Sequence, residues 1–255
     1  MVARKRNLLD PAVMGVQWKA AGKLATAKAR SKVFTKLTKD LIMAAKAGAD
    51  PSMNARLRAA VEAAKKASLP RDNIERAIKR GAGLLDEGAT FEVVTYEGFA
   101  PHRVPIVVEC LTDNKNRTTT SVRVLFRKGQ LAATGAVTWD FAFLGLVDAT
   151  LLAQTAAAPI GAASADADEA AIEAGAQDVE ADGDGGFRFS TDPADLDAVS
   201  KALSARGWTV ATMRLGWRAK NPMKLDDAVA RAEVEAFLAE VDADDDVQHI
   251  YVGYE

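Results

Sequence analysis

The stretch GFRFSTDPADLDAVSKALSARGWTVATMRL, residues 186–215, predicts the fold of the C-terminal part of the chain. It contains a strand-like run at 186–190, and a helical segment at 193–206 that Gly207 is placed to end. A second strand-like run follows at 208–215. The sequence therefore predicts a strand, a helix and a strand in direct succession.

The residues upstream of this stretch repeat the same order of elements. A strand-like run at 144–150 is followed by a helical pattern at 166–174 and a short strand at 177–180. Together the two halves give the order βαββαβ, which is the split pattern of a ferredoxin-like unit. We predict an acidic ferredoxin-like domain over residues 143–222.

Strand and helix patterns on both sides of this unit predict a second α/β body. Strand-like runs at 91–96, 104–111 and 136–141 precede the unit, and a helix at 226–241 and a strand at 247–252 follow it. The second body would then be interrupted in sequence by the first. We assign to this discontinuous domain residues 86–142 and 223–255.

The first third of the chain has the 3.6-residue apolar period of helices. Helices are predicted at 18–29, 31–47 and 52–67, followed by a short helix that begins after Ser68 and ends near Gly81. Short helices need one another for stability, so we predict a basic helical bundle over residues 14–85. The fold class is therefore α+β, with a helical bundle followed by two ferredoxin-like α/β domains, one inserted in the other.

The near balance of 33 basic and 35 acidic residues conceals a strong polarity along the chain. Residues 1–85 carry 19 basic and 6 acidic side chains, whereas residues 161–255 carry 8 and 21. A composition of 49% hydrophobic and 27% charged residues is that of a globular protein, and it excludes whole-chain disorder and a membrane bundle.

Several classes of function lack their sequence signals. The chain has no Gly-rich phosphate loop and no GxSxG elbow, and the two histidines lie far apart, so we predict no enzyme, no cofactor and no metal site. The single Cys110 sits in an apolar run and is predicted to be a buried strand residue. No signal peptide is visible, and 149–165 is too weakly apolar to span a bilayer, so a cytoplasmic location without membrane contact is expected.

Six segments of the chain resemble the YebC/PmpR family, which is widespread in bacteria and has a mitochondrial branch of translational activators. The segments are SKVFTKL at 31–37, DPSMNARLR at 50–58, PRDNIERAIKR at 70–80, YEG at 96–98, ECLTDNKNRT at 109–118 and EAGAQDV at 173–179. The resemblance implies a three-domain fold in which a helical bundle precedes two α/β domains. It covers nearly the whole chain from Met14 onward.

The same resemblance implies a regulator of gene expression that binds nucleic acid. Some members of the family are described as transcriptional regulators that bind promoter DNA, and others as ribosome-associated factors that bind ribosomal RNA or tRNA and relieve stalling. A third possibility is a protein-interaction scaffold that works through its acidic domain. We expect a monomer with nucleic acid, promoter DNA or ribosomal RNA, as its partner.

Two segments depart from the family pattern. Met14-Gly-Val-Gln-Trp18 occupies the place of the usual N-terminus, so we expect Met14 to be the physiological start of the chain. In Arg127–Gly135, RKGQLAATG, the paired glycine that is usual in the family is missing.

The basic residues near the start of the chain are the first candidates for nucleic-acid contact. Seven of them fall in a stretch that has no acidic residue before Asp40, and such a density on short helices is typical of a phosphate-binding surface. The alternative is a solvated face that keeps the bundle soluble. The seven residues are Lys19, Lys23, Lys28, Arg30, Lys32, Lys36 and Lys39.

The segment Thr112–Thr118, TDNKNRT, supplies two further candidates, Lys115 and Arg117. Cations at the start of a helix oppose the helix dipole, which suggests a binding task. The alternative is structural, since an Asn or Asp here can cap the helix. The acidic run Asp242–Asp246 lacks the order of a calcium loop and is predicted to be a solvated turn.

Overall fold

A computed structural model describes residues 27–85, 91–151, 160–181 and 185–255 of the chain. In chain order the elements are α1 (Ala27–Ala45), α2 (Ala55–Lys66), α3 (Arg71–Gly81), β1 (Glu92–Phe99), β2 (Pro105–Thr112), α4 (Lys115–Leu125), β3 (Gln130–Leu131), β4 (Phe141–Leu151), α5 (Ile160–Ala174), β5 (Asp178–Ala181), β6 (Phe187–Thr191), α6 (Leu196–Ala205), β7 (Trp208–Ala219), α7 (Ala228–Asp242) and β8 (Val247–Val252). The predicted fold class is confirmed, with N-terminal helices followed by two small antiparallel sheets.

Helices α1, α2 and α3 form the helical domain, and Asn54 fixes the turn between the first two. Its side-chain oxygen accepts a hydrogen bond from the Leu57 backbone N–H at 3.0 Å, which caps α2. Its amide also donates to the carbonyl oxygens of Ala44 and Gly48, at 2.8 and 2.9 Å. The cap of one helix is thus tied to the end of the preceding helix.

The helix boundaries differ from the sequence expectation in three places. The predicted break between 29 and 31 does not occur, because α1 is continuous from Ala27. Ser52 does not begin α2, since its N–H and hydroxyl both donate to the Asp50 carboxylate. Ser68 has a left-handed φ of 62°, and Pro70 holds the N-cap position of α3 instead. The first predicted helix, 18–29, lies almost wholly outside the described residues.

The first sheet has the strand order β3-β1-β2-β8. Helices α4 and α7 pack on it and share one buried apolar cluster with its strands. At the centre of this cluster, the rings of Phe126 and Phe237 meet edge to face with their centroids 5.5 Å apart. Cys110 is fully buried in β2, as predicted, and burial raises the pKa of its thiol to about 12.

The second sheet has the order β5-β6-β4-β7, and every neighbouring pair is antiparallel. With α5 and α6 it realises the βαββαβ order, and the order of strands across the sheet is that of a ferredoxin-like unit. In its core, Val147, Phe189 and Trp208 of the strands pack against α5 and against Leu203 of α6. The four strands of this sheet lie in sequence between β3 and β8 of the first sheet.

The partly buried carboxylate of Asp148 anchors the side of the second sheet that faces the first. It accepts hydrogen bonds from Arg188 at 2.6 Å, Arg214 at 3.0 Å and Thr212 at 2.7 Å. Burial alone would raise the pKa of Asp148, but the two arginines outweigh it and hold the pKa well below its usual range. The pairing makes burial of these charges possible where the sheets meet.

The predicted strand at 136–141 is wrong. A 3-10 turn occupies Thr138–Asp140, and β4 begins only at Phe141. The reason is the buried carboxylate of Glu97, which accepts hydrogen bonds from the backbone N–H groups of Gly135, Val137 and Thr138 at 2.6, 2.8 and 2.9 Å. These groups are therefore bound to a side chain rather than to a neighbouring strand.

Gly98 offers a direct test of the close approach between β1 and β3. A Cβ atom on Gly98 would lie 2.4 Å from Cε1 of Phe126 and 2.5 Å from the carbonyl oxygen of Gln130. We expect Gly98→Ala to lower the free energy of unfolding by about 1–3 kcal/mol, because backbone and core must both move. Thr95→Ala, in the exposed part of the same strand, should change it by at most about 0.5 kcal/mol. Equal urea midpoints for the two variants would contradict this packing.

Candidate nucleic-acid interface

Two of the predicted phosphate-binding lysines form ion pairs within the protein. Lys32 and Lys36, one turn apart on α1, both contact the carboxylate of Asp242, at 3.1 and 2.5 Å. Asp242 is the last residue of α7, where a negative charge opposes the helix dipole. The two lysines offset that unfavourable charge and join the helical domain to α7.

Lys39, the third candidate on α1, is buried. Only 7% of its surface is exposed, and its ammonium group donates to the carbonyl oxygens of Leu111 and Asp245, at 2.8 and 2.7 Å. It also contacts Oδ1 of Asp246 at 3.1 Å. A lysine has three N–H donors, so no donor of Lys39 is left for a phosphate in this arrangement.

Asp246 is the centre of the contact between three segments of the chain. In addition to Lys39 of α1, its carboxylate accepts from Nη2 of Arg117 at 3.0 Å and from the hydroxyl of Thr118 at 2.8 Å, both on α4. Burial alone would raise the pKa of Asp246, but the hydrogen bonds from Thr118, Arg117 and Lys39 lower it below the usual value. We call Lys39, Asp246, Arg117 and Thr118 the Asp246 junction.

The interpretation of Asp242–Asp246 as a solvated turn is therefore wrong. Asp242 and Asp246 bind the lysines of α1, and the carboxylate of Asp244 accepts from the hydroxyl of Ser121 on α4 at 2.5 Å. The sequence around these aspartates gives no sign of their partners, because the lysines that pair with them lie about 200 positions upstream, in another domain.

The segment Thr112–Thr118 caps α4, as the structural alternative predicted. The side chain of Asn114 accepts from the backbone N–H of Arg117 at 3.1 Å, and the hydroxyl of Thr112 accepts from that of Asn114 at 2.9 Å. Arg117 adds a contact to Asp113 at 2.9 Å, so its guanidinium group bridges two carboxylates. Lys115 is exposed at the first turn of the helix.

Sequence reasoning missed two further cations near the other end of α4. Arg123 lies in its last turn and Arg127 two residues beyond its end, and both are exposed. Within the described part of the chain, neither of them nor Lys115 forms an ion pair. The spacing of Arg123 from the polar residues Asn116 and Thr120 was the available signal, because it places all three on the side of the helix opposite the buried Thr118 and Val122.

Lys115, at the N-terminal end of the helix, and Arg127, just beyond its C-terminal end, extend this side, and we call Lys115, Asn116, Thr120, Arg123 and Arg127 the basic face of α4. Lys115 and Arg123 are eight residues apart, or about 12 Å along a helix, so they can reach different phosphates of one backbone. The Asn116 side chain between them is of the kind that hydrogen-bonds to phosphate oxygens, whereas the hydroxyl of Thr120 donates to the Asn116 carbonyl oxygen at 3.0 Å. Such a surface can hold a polyanion without reading its bases.

The remaining predicted contact residues lie outside what the structure describes. Lys19 and Lys23 precede its first described residue, and the side chains of Lys28 and Arg30, at the start of α1, are also outside. Nucleic-acid contact by these four residues stays a prediction.

Comparison with known proteins assigns the whole of this fold to one family. The description "TACO1/YebC protein N-terminal domain" matches residues 15–84, and "TACO1/YebC second and third domain" matches residues 91–254. The chain belongs to the TACO1/YebC family. The resemblance seen in the sequence motifs is thus confirmed.

Similar proteins in this family are named as regulators. A probable transcriptional regulatory protein of Pseudomonas syringae pv. tomato is 56% identical over 240 residues, which cover 94% of this chain and 99% of the relative. A protein of the same name from Polaromonas sp. is 54% identical, with the same coverage. The crystal structure of a conserved hypothetical protein from Aquifex aeolicus matches with a TM-score of 0.77 and 37% identity, over 89% of this chain and 90% of the other.

The Pseudomonas and Polaromonas relatives are named as regulatory proteins. In the part of the chain that the structure describes, no helix is both long and apolar enough to cross a membrane. In the same part, no group of three or more potential metal-binding side chains is found.

The Asp246 junction predicts a specific loss of stability. Asp246→Asn should lower the free energy of unfolding by about 3–5 kcal/mol, because it leaves the buried Lys39 ammonium without its carboxylate. Asp245→Asn is the matched control, since the exposed side chain is changed while the backbone carbonyl that binds Lys39 remains. Urea unfolding should separate the two variants. Equal midpoints would show that the Asp246 charge does not hold the domains together.

The lowered pKa of Asp246 also predicts a dependence on pH. A carboxylate whose pKa is lower in the folded protein binds fewer protons there than in the unfolded chain, so it stabilises the fold above the unfolded pKa of about 4. This contribution is lost as the pH falls through the folded pKa. The difference in unfolding free energy between the wild type and Asp246→Asn should therefore shrink below about pH 4, and a constant difference down to pH 2.5 would contradict it.

Proposed function

We propose that this protein regulates gene expression by binding nucleic acid, and that the basic face of α4 is its principal contact. The observation that carries the proposal is the exposure of Lys115, Arg123 and Arg127 without acidic partners in the described residues. In the same protein, Lys32, Lys36 and Lys39 are all paired with carboxylates. Cations left unpaired beside a junction that pairs so many others favour an external anion.

The polarity of the whole chain supports the same proposal. The helices of the first domain carry an excess of basic residues, and the region from residue 161 onward carries an excess of acidic ones. An acidic region repels polyanions, so the basic parts of the surface are those at which a nucleic acid would bind. We include the exposed residues Arg58, Lys66 and Lys79 of the helical domain among these parts.

The names of the relatives favour transcriptional regulation and therefore DNA as the target. The basic face of α4 binds through backbone phosphates, which duplex DNA and ribosomal RNA share. A ribosome-associated role is therefore the second candidate, and the existence of a mitochondrial branch of translational activators in the family favours it.

Charge removal on α4 is the direct test. We expect the triple variant Lys115→Gln, Arg123→Gln and Arg127→Gln to bind nucleic acid more weakly, with the slope of log K against log salt reduced by about 2 to 3. The matched control is Lys201→Gln, Arg206→Gln and Lys224→Gln, which removes the same charge from exposed positions elsewhere. Binding to a labelled 30-bp duplex and to a ribosomal RNA hairpin is measured by fluorescence anisotropy at increasing salt.

The two candidates and the scaffold alternative give different results in this experiment. Tight binding to the duplex alone supports transcriptional regulation, and binding to the RNA alone supports the ribosomal role. An unchanged slope in the α4 variant would contradict the proposed interface. Absence of salt-dependent binding to either ligand would contradict the proposal itself and leave the protein-interaction scaffold.

A further inference from the structure

The loop between β3 and β4 presents a large aromatic side chain to solvent. Trp139 is 70% exposed, whereas Trp208, in the core of the second sheet, is 5% exposed. Its indole N–H donates to the carbonyl oxygen of Ala136 in the same loop at 2.9 Å, which fixes the ring on the loop while leaving its surface open. Because most of the indole surface is in contact with water, the ring is available for contact with a ligand.

The loop that carries Trp139 is held rigidly. The buried carboxylate of Glu97 accepts three backbone N–H groups of the loop, and the Glu97 carbonyl oxygen accepts a fourth, from Ala132, at 2.9 Å. Burial alone would raise the pKa of Glu97, but these backbone hydrogen bonds lower it, so the carboxylate is charged at neutral pH. Trp139 is therefore presented in one position rather than on a loosely held segment, and binding it costs little ordering entropy.

A cation is held at the backbone of the same residue. The backbone N–H of Lys220 donates to the carbonyl oxygen of Asp140 at 2.9 Å, and its ammonium group donates to that of Trp139 at 2.7 Å. Lys220 is exposed, and in the described part of the chain it forms no ion pair. Two of its ammonium N–H groups remain available for an anion.

Lys220 also lines a cavity between the two sheets. The cavity has a volume of about 440 Å³, within the range of small-ligand sites. Its wall combines apolar side chains, among them Leu144, Trp217 and Pro222, with Arg218, whose guanidinium group already contacts the carboxylates of Asp178 and Glu180. The apolar and aromatic wall suits a flat, uncharged ring, and the Lys220 ammonium, which lines the same cavity, suits a negative group attached to that ring.

We infer that Trp139 and Lys220 form a binding site for an unpaired nucleotide of the bound nucleic acid, with its base stacked on the Trp139 indole and its phosphate on the Lys220 ammonium. This inference rests on the proposed function and adds to it a preference for single-stranded segments. Stacking on an aromatic ring requires an exposed base face, which a duplex does not offer. A protein partner with an apolar surface would contact the indole but would leave the adjacent Lys220 ammonium without an anion, so a nucleotide fits the site better.

The test compares three ligands on variants of the full chain. The ligands are a labelled 12-nucleotide oligouridylate, its abasic counterpart with the same backbone, and a 30-bp duplex. Trp139→Ala should weaken oligouridylate binding by about 5- to 100-fold and leave the other two unchanged, and Trp139→Phe should retain most of the affinity. Ile172→Ala, which truncates another exposed apolar side chain, is the control.

Separate arms distinguish this site from the basic face of α4 and RNA from DNA. The deoxyribose oligomer should respond to Trp139→Ala as the ribose oligomer does, because stacking uses the base, and a response of RNA alone would restrict the site to RNA. Lys220→Gln should weaken binding of the oligouridylate and of its abasic counterpart. If the α4 variant loses binding and Trp139→Ala has no effect, the inference is overturned and the proposed function stands. If Trp139→Ala weakens binding of all three ligands equally, the inference is also overturned.

Discussion

The carboxylate of Asp246 is the group on which the arrangement of the domains depends. It is 8% exposed and accepts hydrogen bonds from Lys39 on α1 and from Arg117 and Thr118 on α4. A charge this far from water is tolerated only when it is paired, so the three segments must meet in this way or leave Asp246 or Lys39 unsatisfied. The helical domain is thereby fixed against the end of α7 and the start of β8, and Gln248 adds hydrogen bonds to Asp40 and to the Lys36 carbonyl.

This junction divides the cations of the protein into two groups. Lys32, Lys36 and Lys39 neutralise carboxylates between domains, and they contribute to the assembly of the fold. Arg123 lies on the outer side of α4, Lys115 at its first turn and Arg127 just beyond its end, whereas Arg117, Thr118 and Ser121 of the same helix contact Asp244 and Asp246. Helix α4 thus contributes both to the contact between domains and to the basic face that we propose for nucleic acid. The segment Asp242–Asp246 holds the helix in position.

Local sequence patterns predicted the helices and strands well where the hydrogen-bonding and packing partners of a residue are close to it in sequence. The βαββαβ order, the cap at Asn114 and the burial of Cys110 all depend on residues a few positions apart. The prediction failed at the 136–141 strand, because the partner of that backbone is the Glu97 carboxylate on another strand.

The candidate site was harder to predict than the fold for the same reason. Lysines on α1 that looked available have partners about 200 residues away, and the run of aspartates that looked solvated supplies them. The exposed cations Arg123 and Arg127 were too widely spaced to form a run. Only the folded arrangement shows that they lack acidic neighbours, because pairing across domains leaves no periodic trace in the sequence.

The most direct measurement is the map of contacts between the protein and its nucleic acid. Photo-crosslinking of the purified full chain to a bound oligonucleotide, followed by mass spectrometry of the linked peptides, locates the surface that touches the ligand. We predict crosslinks in peptides from the segment 115–128, together with peptides from the helical domain. Crosslinks confined to the acidic region 161–219 would contradict the account.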